Sequence, residues 1–211
     1  VRNRSDGKVA MVVKTCDAGG AVGLLRENQI KREDVLLIGV PCAGMQENGG
    51  IAAKCYSCEL AVSPLVDLTV TAEGTQEGAV VPDRERAVAP DPRDAETSAL
   101  EAMPADQRWD YWHSQFANCI RCYACRAVCP LCYCETCIAQ KSRPQRITTA
   151  FTGEGNTAWN IARAMHLAGR CTGCDECTRV CPADIRLDLL NRTIENEIAD
   201  SFGYRLSDDP T

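Results

Sequence analysis

Apolar residues fall along this chain in two different rhythms, separated by a stretch with none. Val9-Ala-Met-Val-Val13 and Val35-Leu-Leu-Ile-Gly-Val40 are unbroken apolar runs of strand length, the pattern of strands buried on both faces. Ala21 to Ile30, between them, reads as a short helix. Strand, helix and strand with short connections predict a right-handed βαβ unit. From Ala72 to Met103 charges and prolines (Pro82, Pro90, Pro92) replace any apolar period, which predicts an irregular linker. Beyond Pro104 a helical period sets in. Trp109, Trp112, His113 and Phe116 fall on one helix face. A second helix is expected near Asn156, a good N-cap, with Ala158, Ile161, Met165 and Ala168 on one face and Gly169 as its stop. A third follows Pro182, with a stripe of Leu190, Ile194, Ile198 and Phe202 closed by Gly203. The expected organisation is an α/β unit over 1–71, a linker over 72–103 and an α-rich unit over 104–211.

Composition adds the chemistry. Aromatic residues make up 5% of the 211 residues, while 15 are cysteine. An odd number of cysteines in tight repeated spacings suits metal binding better than a disulfide framework. The net charge of -6 carries no basic footprint for nucleic acid. No apolar run reaches the roughly 20 residues of a membrane span. No secretory signal is visible, and the cytoplasm, where thiols stay reduced, is the expected location.

One motif occurs twice. Cys119-x-x-Cys122-x-x-Cys125-x-x-x-Cys129-Pro130 recurs as Cys171-x-x-Cys174-x-x-Cys177-x-x-x-Cys181-Pro182. Three cysteines spaced by two residues wrap three corners of a cubane, and the loop cannot also reach the fourth. In bacterial two-cluster ferredoxins the cysteine before proline ligates the other cluster. One 4Fe–4S cluster is therefore expected on Cys119, Cys122, Cys125 and Cys181. The second is expected on Cys171, Cys174, Cys177 and Cys129. A zinc ribbon is the bland alternative, but zinc sites use paired Cys-x-x-Cys rather than triplets.

Cys16 and Cys42 each follow a predicted strand. Parallel strands of one βαβ unit end on the same sheet edge, where ligands bind, so these two thiols should approach each other. With Cys55 and Cys58 they make four ligands for a third 4Fe–4S cluster; a zinc site on the same ligands, or free buried thiols, are the competing readings. Ala18-Gly-Gly-Ala-Val-Gly23 lacks the first glycine of a dinucleotide fingerprint, and no acidic residue ends the second strand. Its glycines read as tight-turn residues near a cluster.

Cys132, Cys134 and Cys137 remain. They could bind a further cluster or a zinc ion with His113, His166 or a partner chain as fourth ligand, could replace a ligand named above, or could be spectators. His113 on its apolar helix face reads most simply as a packed core histidine. Lys141, Arg143 and Arg146 read as a solvated loop, or as a docking patch for an acidic redox partner.

Lys14-Thr-Cys-Asp17, Ile38-Gly-Val-Pro-Cys42, Cys119-Ile-Arg-Cys-Tyr-Ala-Cys-Arg126, Cys129-Pro-Leu-Cys-Tyr-Cys134 and His166-Leu-Ala-Gly-Arg-Cys171 together resemble the beta-subunit family of deazaflavin-reducing hydrogenases and formate dehydrogenases. The similarity is to the branch with a fused two-cluster ferredoxin domain, associated with heterodisulfide-reductase-like and formate-dehydrogenase-like complexes. The resemblance implies an electron-relay subunit, without activity alone, docked on the catalytic and electron-transfer subunits of an anaerobic oxidoreductase complex. Some members also bind a flavin (FAD) and reduce a deazaflavin coenzyme, which supplies the alternative reading of a flavin-dependent oxidoreductase subunit. A third reading is a structural scaffold whose cysteines only hold loops together.

Overall fold

The computed structural model describes residues 7–47, 49–58, 62–80 and 89–206. They divide into two compact units, one taking in the chain up to Pro92 together with Leu206, the other running from Arg93 to Arg205.

The first unit is built on a four-stranded sheet. Strands β1 (Val9–Val13), β2 (Val35–Gly39), β5 (Leu68–Thr71) and β6 (Gly74–Glu77) lie side by side in that order. β1 pairs parallel to β2 and β2 to β5, while β6 turns back antiparallel at the edge. The expected βαβ unit is present, with helix α1 (Thr15–Arg26) as its crossover. A two-stranded ribbon, β3 (Gln46–Glu47) with β4 (Gly50–Ile51), follows β2.

Helix α1 begins at Thr15, six residues before the expected start at Ala21. The glycines read as turn residues therefore lie inside the helix. The cause is at the start: Lys14 caps α1 in extended backbone, and the Asp17 side chain accepts from the Lys14 backbone N–H at 3.1 Å. Ala18, Gly20, Ala21 and Gly23 are buried, so small size lets the helix approach the sheet rather than turn the chain. Val13, Ala18, Ala21, Val35, Leu37, Val62 and Val66 form the core between them.

Asp67 locks β2 to the segment that enters β5. Its carboxylate accepts from Leu37 N at 2.7 Å and from Arg32 Nη2 at 2.5 Å. Burial pushes this carboxyl up, but those hydrogen bonds outweigh it and hold it below the usual range. Gly39, at the end of β2, is required by close approach. A Cβ there would lie 2.9 Å from Val66 Cγ1 and 3.1 Å from Val62 Cγ1, and neither β-branched side chain can swing aside. Gly39→Ala is expected to cost about 1–3 kcal/mol by overpacking. The drop in the urea midpoint should shrink in the double variant with Val66→Ala; equal midpoints for wild type and Gly39→Ala would contradict this packing.

The second unit is helical. It contains α2 (Pro92–Glu101), α3 (Ala105–Ala117), α4 (Ala124–Val128), α5 (Gly153–His166), α6 (Glu176–Arg179) and α7 (Leu187–Phe202). The expected linker is thus not irregular throughout. Its first part holds the β6 hairpin, and its last part is α2, which belongs to the second unit from Arg93 onward. Long-range ion pairs explain why local sequence reads otherwise. Asp94 meets Arg192 Nε at 2.7 Å, Glu96 meets Arg186 Nη1 at 2.7 Å, and buried Arg93 pairs with Asp175. Residues 81–88, with Pro82, lie outside the described residues.

Two expected helix faces are corrected. On α3 only Phe116 is fully buried, while Trp109 is 51% exposed and stacks on an exposed His113. On α5 the expected stripe of Ala158, Ile161 and Met165 faces outward. The buried face carries Asn156, Trp159, Asn160, Arg163 and Ala164 instead. The third helix holds to its expected closure, ending on Gly203 at φ 64°, but its expected stripe is only half-buried at Leu190, Ile194 and Ile198 and exposed at Phe202, while Leu187, Asp188, Leu189 and Asn191 are buried.

Candidate metal centres

Both cysteine loops of the second unit share one backbone design. Arg121 and Tyr123 have φ of 59° and 60°, and Gly173 and Asp175, at the same offsets in the second motif, have 64° and 58°. The first loop then enters α4 and the second α6. Left-handed turns of this kind aim successive backbone N–H groups into a concavity, as in many phosphate and iron–sulfur sites. Three of the four residues carry a side chain, and each such residue costs about 1–2 kcal/mol in this conformation. Contacts must hold them there.

For Arg121 those contacts are extensive. Its guanidinium donates to Gly155 O at 2.7 Å, Thr148 O at 2.5 Å and Tyr123 Oη at 3.2 Å. It also lies 5.5 Å from the ring centroids of both Tyr123 and Trp159. Asp175 is held through its pair with Arg93 on α2. The expected irregular segment thus contributes a helix that clamps the second cysteine loop.

Between the loops lies a recess of about 330 Å³, part of it open to solvent. Cys119, Cys122 and Cys125 line it from the first motif, and Cys181 lines it from the second. The remaining wall is apolar, including Trp159, Pro182, Ile185 and Leu187. Four sulfurs around a largely apolar hollow are the donor set that a cubane requires. Cys122 is exposed, whereas Cys119, Cys125 and Cys181 are half-buried.

Cys171, Cys174 and Cys177 act on one another's charge, and Cys177 also feels Cys129 and Cys125. Burial pushes the Cys171 and Cys177 thiols up, Cys177 to about 11. Asn191 Nδ2 donates to Cys177 Sγ at 3.6 Å, and the Gly173 N–H donates to Cys171 Sγ at 3.4 Å. Glu195 Oε1 accepts from Gly169 N and Cys171 N, fixing the entry to this loop. Such N–H groups aimed at sulfur set reduction potentials in iron–sulfur sites.

Cys132 stands beside Cys129. A hydrogen bond between the two thiols lowers Cys129 and raises Cys132. Cys137 packs near Trp159 with Cys119 and Cys125, and Cys134 is exposed. His113 and His166 are both exposed. Among the described residues, no three Cys, His, Asp or Glu side chains close on a point suited to a single metal ion.

In the first unit, Cys16 occupies the first turn of α1, just beyond β1, and Cys42 lies just beyond β2. Both thus sit at the carboxyl edge of the parallel strands, near enough to influence each other's charge. Burial raises the Cys16 thiol, with Asp17 adding to it and Lys14 and Lys54 opposing. The Gly44 N–H donates to Cys42 Sγ at 3.4 Å, and the Met45 N–H donates to Cys55 Sγ at 3.3 Å. One short loop therefore bridges Cys42 and Cys55. Cys58 follows within a turn, its N–H donating to Cys55 O at 3.4 Å.

Sequence reasoning missed the polar partners of the cysteine loops. Asn156, expected as the N-cap, lies inside α5, whose cap is Thr152 with its hydroxyl accepting from Gly155 N, and it recurs at helical spacing with Asn160 and Arg163. In the structure they are 1%, 2% and 4% exposed. Asn156 Nδ2 donates to Cys119 O at 2.7 Å, and Arg163 Nη2 donates to Cys125 O at 3.0 Å. Asparagine and arginine repeating opposite an exposed apolar stripe was the available signal.

A 4Fe-4S dicluster domain matches residues 115–185. Over 291 aligned residues, covering 95% of this chain and 74% of the relative, the chain is 23% identical to the F420-dependent formate dehydrogenase subunit beta of Methanocaldococcus jannaschii. It is also 23% identical over 217 residues to the F420-dependent formate dehydrogenase 1 subunit beta of Methanococcus maripaludis, covering 63% of this chain and 56% of that protein. Since 95% of 211 residues is about 200, about 90 of the 291 aligned positions of the first relative have no counterpart here. No helix among the described residues is long and apolar enough to cross a membrane.

Proposed function

We propose that this chain is an iron–sulfur electron-transfer subunit, relaying electrons to or from a catalytic partner within a multi-subunit oxidoreductase complex. One observation carries the reading: Cys181 of the second motif lines the same recess as the three leading cysteines of the first, inside a 4Fe-4S dicluster domain. The ligand sets that follow are Cys119, Cys122, Cys125 and Cys181 for one cluster, and Cys171, Cys174, Cys177 and Cys129 for the other. Bound there, 4Fe–4S clusters supply one-electron transfer. The chain's residues supply the rest. The Gly173 N–H of one left-handed turn and the Asn191 side chain hydrogen-bond ligand sulfurs, and apolar walls line the recess. Such features tune a potential without any acid, base or nucleophile.

Cys16, Cys42, Cys55 and Cys58 form the third site in this reading, supported by Cys16 and Cys42 lying at one sheet edge and by the short loop that joins Cys42 to Cys55. Cytoplasmic, oxygen-poor surroundings suit it, since the ligands must stay reduced. Anaerobically purified protein should contain about twelve irons per chain, with matching acid-labile sulfide, against about eight for the ferredoxin pair alone. Cys42→Ala is expected to lower the count by about four. An unchanged count would remove the third cluster, and zinc in place of iron would overturn the whole reading.

The relatives' names give a second reading, in which the subunit itself reduces a deazaflavin coenzyme with the help of a flavin. About 90 aligned positions of the first relative lack counterparts here, which favours the relay. Acid release of flavin from the purified complex separates the two: stoichiometric flavin would favour the enzyme.

A further inference from the structure

Arg163 is 4% exposed on α5. Its Nη2 donates to Cys125 O at 3.0 Å, while its buried Nε finds no acceptor in the protein. None of the ion pairs among the described residues joins it to a carboxylate. A buried, unpaired guanidinium costs several kcal/mol unless something anionic faces it. The groups within reach of its charge are Cys125, Cys177, Cys132 and Cys129. Cys125 belongs to one proposed ligand set, and Cys177 and Cys129 belong to the other. A cubane held by four thiolates is anionic, and reduction by one electron makes it more so. A cation beside it therefore stabilises the reduced form and raises its potential.

We propose that Arg163 is a counter-cation shared by both clusters of the second unit, a positioning residue that raises the reduction potential of each. The inference rests on the ferredoxin-pair reading. Its spacing on the helix serves the role: two turns earlier Asn156 donates to Cys119 O of the first loop, one turn earlier Asn160 donates to Asn156 O, and Arg163 itself holds Cys125 O. Arginine suits a buried site of this kind because it stays charged and hydrates weakly.

The test uses the full chain purified anaerobically, as wild type, Arg163→Gln and Arg163→Lys. Iron and sulfide are counted first. A wild type without two clusters in the second unit ends the underlying reading, independently of Arg163. Potentiometric titration followed by EPR then reads the inference itself. In Arg163→Gln with full iron, both midpoints are expected to move negative, so that the reduced-to-oxidised ratio at a fixed potential falls about tenfold, or 59 mV for a one-electron couple. Arg163→Lys should shift them less. Midpoints that stay in place, or a shift confined to one cluster, would overturn the proposal. Should Arg163→Gln fail to hold iron, reduced wild type labelled with 15N-arginine decides: pulsed EPR should show guanidinium coupling to both clusters that Arg163→Lys lacks, and its absence refutes the role.

Discussion

Cys181→Ala is expected to strip about four irons from the anaerobically purified chain, although Cys181 lies 56 residues beyond Cys125. The loss should fall on the site of the first motif, because Cys181 lines the recess with Cys119, Cys122 and Cys125. Double variants make the crossing visible. Cys119→Ala combined with Cys181→Ala should lose no more iron than either change alone, since both residues serve one cluster. Cys171→Ala combined with Cys181→Ala should lose about eight irons, since they serve two. An uncrossed arrangement predicts the reverse pattern, so one iron assay on five proteins separates the topologies. Cys129→Ala should mirror Cys181→Ala at the second site. Cys132, hydrogen-bonded to Cys129, is the residue positioned to soften that loss. Iron retained in Cys129→Ala but lost in the variant that also carries Cys132→Ala would assign Cys132 as a substitute ligand.

The second large effect is expected at Arg121. Arg121→Ala removes three hydrogen bonds and two ring contacts from a buried site, and leaves the carbonyls of Gly155 and Thr148 without their donor. Hydrogen bonds made by a charged group are worth about 1.5–3 kcal/mol, so a loss of about 3 kcal/mol, or roughly 10 °C in Tm, is expected for the cluster-loaded chain. The bleaching of cluster absorbance on heating reads it. Arg121→Lys should recover little, because an ammonium cannot reproduce the planar fork. Arg121→Gly separates backbone from side chain. It relieves the left-handed conformation at φ 59° and should stand about 1 kcal/mol above Arg121→Ala. A wild-type Tm in Arg121→Ala would show that the loop holds itself.

The cysteine spacings made the dicluster unit legible, because ligand geometry must be written locally in short loops. The parallel strands were legible for a similar reason: each is a continuous apolar run. What stayed hidden depends on contacts distant in sequence. α2 carries no apolar period that would reveal it, and its ion pairs reach Asp175, Arg186 and Arg192, residues roughly ninety positions away. The buried face of α5 inverted the usual rule that apolar residues point inward. A loop that turns its backbone N–H groups toward an anion leaves carbonyls behind, and those demand donors such as Asn156 and Arg163. The start of α1 was displaced because glycine reads as a turn in a strand-to-helix connection, whereas here it thins a helix against the sheet.

The crossed wiring proposed for the cysteine loops would set a schedule for the nascent chain. At roughly 5–20 residues per second, the ribosome delivers Cys181 about 3–11 s after Cys125. During that interval the first three thiols stand assembled in sequence but incomplete in space. They are open to oxygen, to stray zinc and to one another, and no cofactor can yet shelter them. On the proposed ligand sets, iron insertion into this pair would follow the synthesis of Cys181.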